Sequence, residues 1–282
     1  MEVLPRLNKV IWVALFAMLI ASSSAFSSNL MITRSFSGIW SQPDQESQGF
    51  ILQIGEQAND VKVGVAYWFT YGEDLQTTWY LGVGPVNGNE INMTLFTAYD
   101  IEFMADDLEG DENVEKVGTL DLVFRNCNQG TVMFDTPEEV IGSGEFRIKR
   151  INSIYHDRCS GGISDDTPSG AKPTKLEVWL LSARDGYNGK GKAKFWERVD
   201  RSDFEVEAEL PDGAYTLKVC DVVQGEMMVA NGEDEGELEF EFSSPLDGDK
   251  PLLSFDPRDC LIELWDAEGV FLSTGDDRLS EK

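Results

Sequence analysis

Four sets of side chains in this 282-residue chain could do chemistry: one histidine, a large excess of carboxylates, four cysteines and a cluster of aromatic residues. Histidine catalysis would have to use His156, three residues before Cys159, and no G-x-S-x-G elbow accompanies it. A surface histidine beside a disulfide is the expectation. Gly82-x-Gly84 lacks the third glycine and the helix of a dinucleotide fingerprint. Acidic residues number 51 against 23 lysines and arginines, a net charge of −28. That field repels nucleic acid and anionic membrane surfaces, which are excluded as partners. Carboxylates can also do two kinds of work: a facing pair can hydrolyse glycosides, and clustered oxygens can hold calcium. Candidate calcium loops are Asp106, Asp107, Glu109 and Asp111, then Gly232 to Gly236, then Asp247-Gly248-Asp249. None has the EF-hand register. Calcium is thus the one cofactor considered.

The cysteines suit an oxidising compartment. Cys127, Cys159, Cys220 and Cys260 fall two and two about a polar stretch, which favours the pairs Cys127–Cys159 and Cys220–Cys260. Zinc spacing is absent. Export is expected on other grounds as well. Arg6 and Lys9 precede an apolar run, Val10 to Ala21, and Ser23-Ser24-Ala25 offers small residues for cleavage. Residues 1–25 read as a signal peptide, since the run falls short of the roughly 20 residues that span a bilayer. The mature chain is expected to be secreted or periplasmic, with no membrane span.

The elements that must position these groups are strands. Val61 to Tyr71 and Thr77 to Val83 flank an acidic turn and read as a hairpin carrying Tyr67, Trp68, Phe69, Tyr71, Trp79 and Tyr80. Neighbours in a strand point to opposite faces, so either Trp68 or the Tyr67/Phe69 pair must look outward. Tyr67, Trp68, Phe69 and Tyr80 are the candidate binding residues, for carbohydrate, an apolar small molecule or protein. Trp40 and Trp79 are expected in the core. About eight short strands between residues 35 and 160 predict an antiparallel meander, closed as a barrel or folded as a sandwich. Residues 161–174, GGISDDTPSGAKPT, have the composition of a linker. Beyond it, Phe204, Val206, Ala208 and Leu210 alternate with Glu205, Glu207 and Glu209, the pattern of a half-buried strand. Residues 175–282 therefore read as a second β-sandwich, and the fold class is all-β.

Gly38-x-Trp40, Gly49-Phe50-x-Leu52-Gln53, Tyr67 to Tyr71 and Thr78-Trp79-Tyr80-x-Gly82-x-Gly84 together resemble an uncharacterised all-β module of bacterial exported proteins. The Gly-x-Trp opening is also similar to avidin-like and lipocalin-like meander barrels, which implies a barrel shape. Leu210 to Leu217, LPDGAYTL, resembles the hairpin of transthyretin-like and carboxypeptidase-regulatory-like β-domains. Neither resemblance brings a catalytic residue. The function expected is that of a non-catalytic binding or surface-interaction module. The alternatives are a carbohydrate-active hydrolase with paired carboxylates and a purely structural exported protein.

Overall fold

The structure is a computed structural model that describes residues 30–43, 45, 47–58, 61–72, 76–99, 114–230 and 236–280. Eight strands form the first unit: β1 (Gly38–Ser41), β2 (Gly49–Gln57), β3 (Val61–Tyr71), β4 (Thr77–Asn87), β5 (Glu90–Ala98), β6 (Val114–Asn126), β7 (Gln129–Asp135) and β8 (Ser143–Ser153). Each pairs antiparallel with the next, and β8 returns to β1, so the meander closes as a barrel. Period-2 alternation fills it. Phe50, Leu52, Ala66, Trp68, Tyr80, Ile91, Met93, Leu95, Leu120, Leu122 and Val132 are all buried, the inward set expected of a small barrel whose interior is side chains.

Glycine permits the narrowness. A Cβ on Gly84 would lie 1.9 Å from the Asn92 carbonyl oxygen, and one on Gly82 would lie 2.8 Å from Met93 Sδ. The base is closed by Phe36, whose ring lies 5.2 Å from Phe124, and by Trp40, 4.9 Å from Phe124. Buried Arg150 of β8 sits with its guanidinium 5.6 Å from the Trp40 ring. It donates to the carbonyls of Ser35, Ser37 (3.1 Å), Cys127 (3.1 Å) and Asn152 (3.2 Å). Burial pulls its pKa down, and Asp157 partly opposes that.

The second unit is one eight-stranded antiparallel sheet, curled until it nearly closes. Its strands are β9 (Thr174–Ser182), β10 (Lys190–Arg198), β11 (Arg201–Leu210), β12 (Gly213–Val219), β13 (Val222–Val229), β14 (Gly236–Ser244), β15 (Ile262–Asp266) and β16 (Gly269–Ser273). The spatial order is β13-β12-β15-β16-β9-β10-β11-β14. Phe204, Val206, Ala208 and Leu210 enter the core, as their alternation predicts. The order of the strands has no counterpart in the sequence pattern.

Both disulfides form as the spacing favours, with Cα–Cα distances of 5.9 Å for Cys127–Cys159 and 4.8 Å for Cys220–Cys260. Each closes a loop that stabilises by about 3–4 kcal/mol in the chain-entropy model. Of the stretch 161–174, Gly161 to Asp165 and Thr167 are buried, and Ile163–Asp166 forms a 3-10 turn. Asp165 accepts from Ser160 N (2.7 Å), Ser160 Oγ (2.7 Å) and Gly161 N (2.9 Å). Burial outweighs those donors and pushes its carboxyl above the ordinary range. The turn ties the two units together. Ile163 N donates to Leu253 O (3.0 Å), Met31 N to Gly161 O (2.8 Å), and Asp166 pairs with Lys62 of β3. Among the described residues no helix is long and apolar enough to cross a membrane.

Candidate functional site

The barrel's outer face differs from side to side. On β2, β3 and β4 the outward positions run Ile51, Gln53; Val65, Tyr67, Phe69, Tyr71; and Thr77, Trp79, Leu81, Val83, Pro85. None is charged, in a chain of net charge −28. By contrast, the outer faces of β6 and β8 carry Asp121, Arg125, Glu145, Arg147 and Lys149.

Strand register makes the uncharged side chains contiguous. Ile39 pairs with Ile51, Ile51 with Tyr67, and Phe69 with Trp79. The Tyr67 and Trp79 rings lie 6.2 Å apart at 46°. Each of these five side chains is 41–45% exposed, and Ile151 of β8 reaches 64%. Contiguous exposed apolar side chains make this face a candidate interaction surface, since exposed apolar residues scattered singly need no explanation.

A groove of about 550 Å³ adjoins the patch, lined by Ile39, Ile51, Phe69 and Ile151 together with Gln42, Gln45, Ser47 and Gln48. Gln48 Nε2 donates to Gln45 Oε1 (3.3 Å), and its Oε1 accepts from Thr70 Oγ1 (2.9 Å). The groove thus sets the Phe69 ring and three isoleucines beside neutral amides, of which Gln45 and Gln48 are held by hydrogen bonds. Asp44 and Glu46 of the same turn lie outside the described residues.

The four aromatic candidates divide by strand parity. Tyr67 and Phe69 stand on the platform, whereas Trp68 and Tyr80 are 3% and 5% exposed inside the barrel. There Trp68 packs at 5.5 Å from Phe50, 5.1 Å from Phe134 and 5.9 Å from both Tyr80 and Phe146. Burial raises the Tyr80 phenol's pKa. The expectation that Trp79 lies in the core is corrected: it is 44% exposed, while Trp40 is fully buried. Tyr80 and the two close-approach glycines occupy the inward row of β4, which turns Trp79 out. The alternation Tyr80, Gly82, Gly84 is the signal that could have shown it.

Asp106, Asp107, Glu109 and Asp111 lie outside the described residues, as does most of the Gly232 to Gly236 loop. Asp247 is paired with Arg201, which lowers its carboxyl pKa. Among the described residues no group of three or more His, Cys, Asp or Glu side chains is arranged to hold a metal ion. His156 is exposed, with its ring 3.9 Å from that of Tyr155. Facing carboxylates do occur on the second sheet, where Glu205 pairs with Glu241, Glu207 with Glu239 and Glu209 with Glu237. Lys194 holds Glu205 (2.8 Å) and Glu207 (2.7 Å), and Lys250 holds Glu241 (2.7 Å). Compared with known proteins, the chain matches no protein-family model, no curated protein and no solved structure.

Proposed function

We propose that the protein is an exported, non-catalytic binding module whose barrel captures a neutral polysaccharide on the platform of Tyr67, Phe69 and Trp79. The single observation that carries this reading is the absence of charge from the outward rows of β2 to β4 in so acidic a chain. An anionic polymer would be repelled by the whole molecule. A neutral sugar presents a face of weakly positive C–H groups, and an aromatic ring meets it with the negative face of its quadrupole. Gln42, Gln45 and Gln48 supply amides for hydroxyl groups at the platform's edge. Two disulfides are compatible with export.

The test is co-sedimentation of the purified chain with insoluble neutral glucans, mannans and chitin, beside anionic uronic-acid polymers. Retention on at least one neutral polymer is expected, and it should survive about 1 M salt because no ion pair is involved. Retention on none of them, or only on the anionic polymers, would overturn the reading.

A further inference from the structure

The second sheet stops one pairing short of closure. Among the described residues, the consecutive strands β13 and β14 are its two edges, each paired with a neighbouring strand on one side only, β12 and β11. Between them lies a groove of about 630 Å³. Its floor is apolar: Met227 packs against the core, and the Phe240 ring lies against Gly225, where an added Cβ would sit 3.0 Å from Phe240 Cε1. Its outer rim is acidic, with Glu226 on β13 and Glu239 and Glu241 on β14.

Apart from a register shift at Gln224, the edge β13 carries little of what protects a free strand. Val222, Val223 and Met228 are 50%, 48% and 70% exposed, and Glu226 is the strand's one charged residue. Unpaired N–H and C=O groups beside exposed apolar side chains form a template for another strand. At the far end of β14 such a template is already used. Ser243 N donates to Pro251 O (3.0 Å), and Leu253 N donates to Ser243 O (2.8 Å).

We propose that the seam takes an extended cationic segment of a partner polypeptide, which adds to β13 as a further strand. Period-2 alternation dictates its sequence. Inward side chains would rest on Met227, Phe240 and Phe242, which calls for valine or isoleucine. Outward side chains would stand opposite Glu226 and Glu239, which calls for lysine or arginine, since opposite charges across a strand pair attract; Glu241 is already held by Lys250.

The probe is a short dye-labelled peptide of alternating lysine and valine, titrated into the full chain and followed by fluorescence anisotropy. Saturable binding is expected, with hydrogen-exchange protection gained at residues 222–228. A peptide of the same charge with a proline at its centre loses a ladder donor and should bind about tenfold more weakly. A glutamate–valine peptide should not bind, and Glu226→Lys with Glu239→Lys should lower affinity for the lysine peptide. Equal binding of the proline peptide would reduce the interaction to surface charge and overturn strand addition. So would protection away from β13, or no binding at all. A dimer in sedimentation that the peptide fails to dissociate would assign the edge to a second copy of the chain instead.

Discussion

Two tryptophans of the barrel strands have opposite roles. Trp40 is fully buried between Phe124 and the Arg150 guanidinium, and its Nε1 donates to Phe36 O (3.1 Å). Trp79 stands on the outer face beside Tyr67. Truncating Trp40 to alanine is expected to cost about 3–5 kcal/mol. Trp79→Ala should leave stability within about 0.5 kcal/mol of the parent. Denaturant melts of the two variants check both values, and a large loss for Trp79→Ala would mean that it supports the core. Strand character at these residues was legible from composition. Facing was not, because alternation states that neighbours oppose each other and leaves open which one is inside. In β3 the choice is made by Trp68 meeting Phe50, Phe134 and Phe146 across the interior. Those contacts come from residues far away in the chain.

At the scale of elements, the outer face of the second sheet sets lysines of β10 beside glutamates of β11, and those beside glutamates of β14. Two carboxylates on it should respond to acid in opposite ways. Glu239 is raised by burial and by its neighbours Glu241, Glu205, Glu237 and Glu207. Its ionised form is therefore disfavoured by folding, and the penalty is present at neutral pH and relieved as pH falls through the raised value. Glu239→Gln is expected to stabilise by about 0.2–1 kcal/mol at pH 7, with the gain vanishing on acidification. Glu177 is held down to about 2 by hydrogen bonds from Lys175 and Lys192. Its contribution is complete above the unfolded value and lost as pH falls toward about 2. Glu177→Gln should thus destabilise at neutral pH and match the parent at the acid end. Melting both variants across pH 2 to 7 tests the pair, and parallel profiles would contradict the assignment. The alternation that places these glutamates outward was readable directly. The pairing of β11 with β14 was not, since β12 and β13 intervene in the chain and no local pattern specifies so distant a partner.

At the scale of the molecule, the two cores are joined through residues 30–37 and 160–167. Lys62 Nζ donates to Asp166 and to Ile32 O (3.1 Å), and Asp166 Oδ1 accepts from Arg34 N (2.7 Å). Asp166→Ala removes charged hydrogen bonds worth about 1.5–3 kcal/mol, and calorimetry should show a lower melting temperature. An unchanged melting temperature would mean that the junction contributes nothing. Glycine, serine, proline and aspartate at 161–174 read as a linker because composition records turn formation without showing what the turn packs against. Here Gly161 and Gly162 lie against Leu30 and Leu253 O, where a side chain does not fit. The proposed binding rests on the uncharged platform of the barrel. Its most direct test compares adsorption isotherms of Trp79→Ala and Trp179→Ala on the neutral polysaccharide that retains the parent. Trp179 is 50% exposed on the second sheet, under Lys190 and Lys192, and serves as the control. Trp79→Ala is expected to weaken adsorption by about tenfold, or about 1.4 kcal/mol, while Trp179→Ala binds like the parent. Equal adsorption by Trp79→Ala and the parent, or a loss confined to Trp179→Ala, would contradict it.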